Sequence, residues 1–576
     1  MRIVHVKIRN YRGIQKLDWS PAATVNCLIG PGDSTKTTIL DAIELALNPR
    51  SYLLADDSDF FNLDVTTPIK ITVTVAGLPP EVKSDDRYGL YLRGWSQKDS
   101  KVEDEPGEAL EDALSIRVAI DESLEPRWSI YNDRIGDDET DPPTVRYKDT
   151  RQFATTRLGP YAERHLGWGR HSVLTRISKS DESVSLQLAQ ASRAARDAFR
   201  QNSRDVFAES VSRAEELRKY FAVPIRERYV AELDVQGINI TTGGISLHDG
   251  RLPLRRLGTG SARLIVSALQ HEAGGSKIAL IDEIEHGLEP HRIARLLKYL
   301  KLPPLGANKG SVSQLFLTTH SPVVIRELAA PDLFAVRSES GVTEVRSVAA
   351  GAKDIDAVQR YLRSSPSAFL ARRVLVGEGR TEQGLLRGLD AWWAASGNGS
   401  FALRGAIAID GSGNANAPAI ADHLLTLGYN VLLLLDSDEP SLPDLVDSVK
   451  RKGGRVLEWA DGCSTEERMF LDVPWNTVIK LVTLVVGNVG PDSVRDNINN
   501  ACKEKGLPPI ADLSLSKSLD DAVFRRLIGV VAKKRKWFKD ITRAEELADV
   551  VAPSLNLIPE TPFAKTVSRI RQWIDA

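Results

Sequence analysis

The stretch that most constrains this chain runs from Thr24-Val-Asn-Cys-Leu-Ile29 through Gly30-Pro-Gly-Asp-Ser-Thr-Lys36-Thr37 into residues with Ile39, Leu40, Ile43 and Leu47 on one helical face. The apolar run predicts a strand, the Gly/Pro/Asp/Ser segment a tight loop, and the apolar spacing a helix. A strand that turns at once into a helix is the opening of an α/β sheet with crossover connections. The loop's N–H groups then gather at a helix N-terminus, where aligned backbone dipoles favour an anion.

That order of strand, loop and helix is the context a phosphate-cradling P-loop requires; the bland alternative is an ordinary glycine-rich turn. Read as a P-loop, Gly30, Gly32, Asp33, Ser34, Thr35 and Thr38 line the phosphates, Lys36 reaches the β- and γ-phosphates, and Thr37 holds Mg²⁺. Thr35 stands where the pattern has Gly, and its β-branched side chain restricts the backbone there. Downstream, Ile278-Ala-Leu-Ile281 buries a strand and delivers Asp282 and Glu283 at its end. Asp282 would support Mg²⁺ and Glu283 would orient or deprotonate a water.

Further along, the chain reads as an antiparallel β-layer at 71–75, 114–120 and 127–131, with acidic loops around 97–113 and 135–143. Residues 181–222 lack Pro and Gly and read as one or two long amphipathic helices. A helix is predicted over 289–301, a strand over 314–319 and a helical link over 353–363. A second β/α series then begins, with strands at 372–376, 406–409 and 430–435 and helices at 381–395 and 416–427. This implies a second, parallel sheet, and the boundary is placed near residue 366.

At 576 residues two large domains are expected. No apolar run approaches the ~20 residues of a membrane span, and the N-terminus lacks the apolar core of a signal peptide, so the expected location is cytoplasmic, away from membranes. Cys27, Cys463 and Cys502 are widely separated and are expected to be reduced thiols. A net charge of −2 excludes a uniformly basic surface, but Arg525, Arg526, Lys533, Lys534, Arg535, Lys536 and Lys539 form a local basic cluster. It is either a solvated helix face or a phosphate-contacting surface.

In the second series, Val374-Leu-Val-Gly-Glu378-Gly-Arg-Thr-Glu382 puts one carboxylate at a strand end and another four residues on. Val431-Leu-Leu-Leu-Leu-Asp436-Ser-Asp438 puts two more at the end of another strand. In a parallel sheet such positions converge in one crevice, and carboxylates that close repel unless a cation neutralises them. The pattern therefore predicts Mg²⁺ or Mn²⁺ on oxygen ligands; the alternative is strand-end carboxylates facing water.

Leu257-Gly258-Thr-Gly-Ser261-Ala-Arg-Leu264 resembles the signature loop of ABC ATPases, and His320 in Thr318-Thr-His-Ser-Pro322 resembles their switch histidine. P-loop, signature, Asp282-Glu283 and His320 follow one another in the ABC order; Asp59-Phe-Phe lies roughly in the place of a Q-loop, and no glutamine is assigned to one. In that superfamily the signature loop of one head completes the nucleotide site of another, which implies a homodimer or higher homo-oligomer binding ATP with Mg²⁺. Asn10-Tyr-Arg-Gly13 resembles the opening strand of the SMC and RecF branch, which usually acts on DNA.

Glu-Gly-x-Thr-Glu followed by Asp-x-Asp, with Asp410-Gly-Ser-Gly413 between, resembles the Toprim domain. An ABC head joined to a Toprim domain is the arrangement of the OLD (overcoming lysogenisation defect) nucleases, which include the nuclease subunit of the Gabija antiphage system. The resemblance spans nearly the whole chain. It implies an α/β protein with an ABC ATPase head over 1–365, a helical dimerisation insertion at about 160–225, and a Rossmann-like Toprim domain with a helical C-terminal extension over 366–576. It implies two metals held by Glu378, Glu382, Asp436 and Asp438, with Glu466 a less secure ligand and Glu467 its competitor. Lys536 or Lys539 would serve the reacting phosphate, while Trp537 and Phe538 pack in the core. The expected activity is nucleotide-regulated DNA cleavage in phage defence or DNA processing, with a UvrD-like helicase as a further partner. The competing reading is a RecF-like nucleotide-gated DNA-binding protein without nuclease activity. A topoisomerase would need a tyrosine nucleophile in a cleavage domain, and a primase a template-binding module; no segment suggests either.

Overall fold

The computed structural model describes the chain apart from residues 50–54, 135–142, 147–148, 150–151, 159–164, 169–171, 178–181, 203–205, 222–223, 225, 227, 234–243, 273–276, 302–313, 353 and 440–441. Among the described residues the first half is organised by one thirteen-stranded mixed sheet. On one side, Arg2–Tyr11, Ile14–Trp19, Ile69–Ala76, Glu111–Ile120, Arg93–Ser96, Lys101–Glu103 and Arg127–Tyr131 pair antiparallel. On the other, Leu333–Glu339, Val25–Ile29, Gln314–Thr318, Ile278–Ile281 and Thr156–Leu158 run parallel. Val25–Ile29 and Gln314–Thr318 are buried along their whole length, which is why they read as continuous apolar runs rather than alternating ones.

The expected antiparallel layer is present, but Lys101–Glu103 forms a short strand inside the 97–113 stretch read as loop. The other expected acidic loop lies largely outside the described residues. A hairpin of Leu333–Glu339 and Val342–Ser347 had no counterpart in the sequence reading. Its two turn residues, Ser340 and Gly341, both have positive φ, the conformation whose twist suits a two-residue hairpin.

The second sheet has the order Ala406–Asp410, Arg373–Gly377, Asn430–Leu435, Arg455–Glu458, all parallel. The first strand lies between the second and third, so crossovers leave in opposite directions from Arg373–Gly377 and Asn430–Leu435. The loops beyond these two strand ends therefore part and open a crevice. Helices Arg380–Ala395 and Ala417–Thr426 match expectation to within a residue or so, and Ile355–Ser364 is the expected link. The fourth strand, Arg455–Glu458, was not foreseen; it is a four-residue edge with only Leu457 buried.

Six further helices, Thr465–Asp472, Trp475–Val489, Pro491–Glu504, Ala522–Lys534, Ile541–Val551 and Pro562–Asp575, make the C-terminal region. Gly384 and Gly388 let Ile541–Val551 lie close against Arg380–Ala395: a Cβ at either would come within 2.5 Å of Ala544 or Ala548. One hydrophobic cluster continues from Val25, Leu317 and Leu333 through Val358, Leu362 and Phe369 to Val374, Val376 and Leu433. The two sheets therefore share a core.

The expected helical arm appears as Glu182–Asn202 and Ala208–Tyr220, and much of the stretch around 160–180 lies outside the described residues. Leu186, Leu217, Tyr220 and Phe221 of the arm are exposed. All three cysteines are free and buried. Among the described residues no helix is long and apolar enough to cross a membrane.

Candidate functional site

Two sites stand at strand ends, one on each sheet. In the first, Val25–Ile29 enters the loop at Gly30, whose φ of +148° and contact with the Val336 carbonyl leave no room for a side chain. The helix Lys36–Leu47 follows, and its N-terminal N–H groups face the loop. Lys36 Nζ donates to the carbonyls of Gly30 (3.2 Å) and Pro31 (2.7 Å) and to Ser34 Oγ (3.0 Å). Burial pulls its pKa down to about 8 against the pull of Asp33, Asp282 and Glu285. A triphosphate would replace these carbonyls as the partner of the ammonium.

Thr35 has a φ of +65°, the left-handed region that costs a β-branched residue about 1–2 kcal/mol. This is the physical reason a glycine suits that position. Its hydroxyl lies 3.2 Å from Thr343 Oγ1, and its methyl faces Gly13, where a Cβ would come within 3.1 Å. The Asn10–Gly13 segment and the hairpin thus hold Thr35 in place. Asp33 also has positive φ and lies 3.9 Å from Arg372, the residue just before the first strand of the second sheet.

Asp282, one residue past Ile278–Ile281, accepts from Thr37 Oγ1 (3.1 Å) and Thr318 Oγ1 (2.6 Å). Thr37 and Asp282 are thus juxtaposed as an Mg²⁺-nucleotide site needs. Arg157, not singled out in the sequence, bridges Asp282 (3.2 Å) and Asp41 (2.9 Å). Asp41 pairs with Arg12, which also binds Asp59. The segment considered for a Q-loop is therefore tied to the Asn10–Gly13 motif. Glu283 has its backbone at φ +46° and its half-exposed carboxylate 3.6 Å from His286 Nδ1. His320 N donates to Glu285 (2.6 Å); the ring's pKa is lowered by partial burial and by the charge of Lys36. Gly258 precedes Thr259–Glu272 and Ser261 lies in its first turn, where Gly260 packs against the Gly287 carbonyl and Ser261 Oγ accepts from Arg292 at 3.2 Å. No hydrogen bond among the described residues joins either of them to the P-loop of the same chain.

The second site is the crevice. Glu378 follows Arg373–Gly377, and its Oε2 accepts from the Asp436 amide at 3.1 Å, so the two strand ends meet. Glu382 accepts from the Gly379 amide at 2.7 Å, which folds it back over the helix start. Thr465 Oγ1 lies 2.6 Å from Glu382 and 3.0 Å from Asp436, and the Thr465 amide donates to Asp436 at 2.9 Å. Glu466 Oε1 is 3.3 Å from Thr381 Oγ1, while Glu467 turns to Arg526 at 3.7 Å. Burial and mutual repulsion raise the pKa of Glu382, Asp436 and Glu466, the last to about 7; burial raises Glu378.

Lys533, at the end of Ala522–Lys534, places Nζ 2.5 Å from Asp438 and 3.5 Å from Asp436. Burial works against its charge, but the hydrogen bond to Asp438 and the nearby carboxylates hold its pKa above the usual lysine value. Lys536 and Lys539 are exposed, and no ion pair among the described residues joins either to these carboxylates. The lysine paired with these carboxylates is Lys533, a member of the basic cluster. The sequence contained the clue in its basic cluster, but which member reaches inward depends on helix packing. Trp537 and Phe538 are buried as expected. Among the described residues no three acidic, histidine or cysteine side chains stand in metal-holding geometry, and Thr465 and Lys533 bond to the carboxylates of the crevice. The donor set still suits a hard divalent cation: only oxygens, crowded, and costly to ionise together.

The family model described as "AAA domain, putative AbiEii toxin, Type IV TA system" matches residues 25–326, more than half of the chain. The chain belongs to this AAA-domain family. The match covers the P-loop, Gly258–Ser261, Asp282-Glu283 and His320, and this AAA-domain protein carries an ATPase-type, ATP-binding domain. No curated protein matches it. Among solved structures it is similar to an SMC head bound to the C-winged helix domain of ScpA (12% identity, TM-score 0.30, 60% of this chain and 97% of that one). It is also similar to the SMC head domain from Thermotoga maritima (15%, 0.29, 60% and 99%) and to the recombination mediator RecF of the RecFOR pathway (14%, 0.29, 60% and 97%).

Proposed function

We propose that this AAA-domain protein is a nucleotide-regulated, divalent-metal-dependent DNA endonuclease of OLD type. In this reading the ATPase head spans 1–365 and a Toprim nuclease region spans 366–576. The observation that carries it is the meeting of Glu378, Glu382, Asp436, Asp438 and Glu466, from three separated segments, at the switch point of a parallel sheet. Two Mg²⁺ or Mn²⁺ ions bound there would supply an activated water and charge stabilisation for a scissile phosphodiester. Glu378, Asp436 and Asp438 hold the ions, Glu382 and Glu466 complete the set, and Thr465 fixes Asp436. Lys533 neutralises the crevice through Asp436 and Asp438, and with cations bound its ammonium would be available to a phosphate oxygen.

The head works as a homodimer or larger assembly in which Gly258 and Ser261 complete a neighbour's nucleotide site, with the exposed apolar residues of the 182–221 arm as the further contact. DNA processing or phage defence, alone or with a UvrD-like helicase, is the setting this activity suits. Supercoiled plasmid incubated with the protein and Mg²⁺ or Mn²⁺ should be nicked or linearised, and Asp436→Ala should lower the rate at least ~10³-fold. Unchanged cleavage by that variant rejects the site.

One observation favours a second reading, a RecF-like nucleotide-gated DNA-binding protein. The carboxylates of the crevice are already satisfied by Thr465 and Lys533, as in a purely structural network. DNA binding without any plasmid cleavage, equal in wild type and Asp436→Ala, would establish it.

A further inference from the structure

Arg263 is a buried arginine inside the signature segment to which neither the motif reading nor the proposed nuclease chemistry gives a role. It lies in the first turns of Thr259–Glu272, the helix that begins in the signature segment, and is 1% exposed. Its Nη2 donates to the carbonyls of Asp282 (2.7 Å) and Glu283 (2.9 Å). Those carbonyls belong to the two peptide units on either side of the Glu283 Cα, whose conformation aims the carboxylate, and Glu283 sits at φ +46°, a backbone state a glutamate keeps only where surrounding contacts impose it.

The contacts come from two sides. From the sheet, Thr318 Oγ1 accepts from the Glu283 amide at 2.8 Å, and its backbone carbonyl accepts from Ile284 N at 3.2 Å. From the signature helix come Arg263 and Gly260, whose close approach to the Gly287 carbonyl would leave a Cβ at 2.0 Å. Arg292 Nη1 adds a bond to Ser261 Oγ at 3.2 Å. The loop from Asp282 to Leu288 is thus clamped between a strand end and the signature helix, with its glutamate side chain left half-exposed.

We infer that Arg263 is the positioning residue for Glu283: it holds the left-handed backbone that points the carboxylate at the attacking water, and it ties that aim to the seating of the signature helix. Engagement of a neighbouring head at Gly258–Ser261 then bears directly on the hydrolytic geometry of the same chain. Arg263 acts on Glu283 through the backbone carbonyls of Asp282 and Glu283, so its loss should separate binding from turnover.

The experiment is steady-state ATP hydrolysis by the full chain, with equilibrium binding of a fluorescent ATP analogue and a thermal melt on each variant. Arg263→Lys keeps the charge but replaces the planar guanidinium fork with a shorter, compact ammonium, and Arg263→Gln keeps a donor without the charge. Both should lose ten- to a hundredfold in kcat, as a misaimed catalytic group does, with KM and analogue affinity within about threefold of wild type. A rise in KM at unchanged kcat overturns the inference, as does full activity in a folded variant. Failure of both variants to fold would make Arg263 a stability residue and would also overturn it.

Discussion

The P-loop and the carboxylate crevice are built on the same plan and differ in where their cation comes from. Each lies at strand C-terminal ends of parallel sheet, each gathers polar groups against an apolar floor, and each holds a lysine among them. In the P-loop that lysine is Lys36, whose three partners lie within six residues of it. In the crevice it is Lys533, which reaches Asp436 and Asp438 across nearly 100 residues of chain. The first site folds as a unit of strand, turn and helix. The second exists only after the C-terminal helices have packed. A local site tolerates change elsewhere in the molecule, whereas an assembled one depends on every helix contact that delivers its parts.

The sharpest way to break this comparison is to remove each lysine. Lys36→Ala should abolish the response of plasmid cleavage to ATP and lower ATP turnover by about 10²–10³-fold, the scale of losing a charged donor from a desolvated transition state. Metal-dependent cleavage without nucleotide should persist. If ATP alters cleavage identically in wild type and Lys36→Ala, control through the P-loop is wrong.

Lys533→Ala comes next in size. Cleavage should fall by about 10²-fold while ATP turnover holds, since the charge facing the phosphate is gone but the carboxylates remain. Lys536→Ala and Lys539→Ala should each change cleavage by no more than about threefold, with a shallower salt dependence of DNA binding as their main effect. The reverse ranking would return the catalytic lysine to the exposed turn and make the Lys533 ion pairs structural.

That ranking also marks where the sequence stops being informative. The phosphate loop was legible because its strand, glycines and helix lie side by side, and Asp282, Glu283 and His320 each follow an apolar run that can only be a buried strand. Glu378 and Asp436 were legible for the same reason. Which lysine completes the crevice was not, because the answer depends on Gly529. There a Cβ would come within 2.5 Å of Glu467 Cα, and only the missing side chain lets Ala522–Lys534 lie against Thr465–Asp472 and carry Lys533, one turn on, to the acids. The Leu333–Ser347 hairpin was missed because its turn, Ser340-Gly341, carries a weaker signal than an Asn-Gly or Asp-Gly pair. Arg157 and Arg263 were invisible because an arginine in a sequence does not announce that it will be buried against a strand end.

The smallest expected effect tests the crevice without any substrate. Glu466 titrates near 7 in the folded chain, and Glu382 and Asp436 are raised with it, whereas all three ionise near 4 in an unfolded one. Between those limits the native state binds more protons than the unfolded state, so stability falls as pH rises. The contribution is fully present below about pH 4 and is lost as pH climbs through 7. In chelator, the thermal midpoint of the wild type should therefore drop by a few degrees more between pH 5 and pH 8 than that of Asp436→Asn, in which one of the repelling charges is absent. Mg²⁺ or Mn²⁺ should restore the wild type more at pH 8 than at pH 5, because only ionised carboxylates hold the cation. Equal slopes in the two proteins, with no gain from metal at high pH, would mean that these acids are neutralised from within by Lys533 alone. The crevice would then be a second structural network rather than the counterpart of the nucleotide loop.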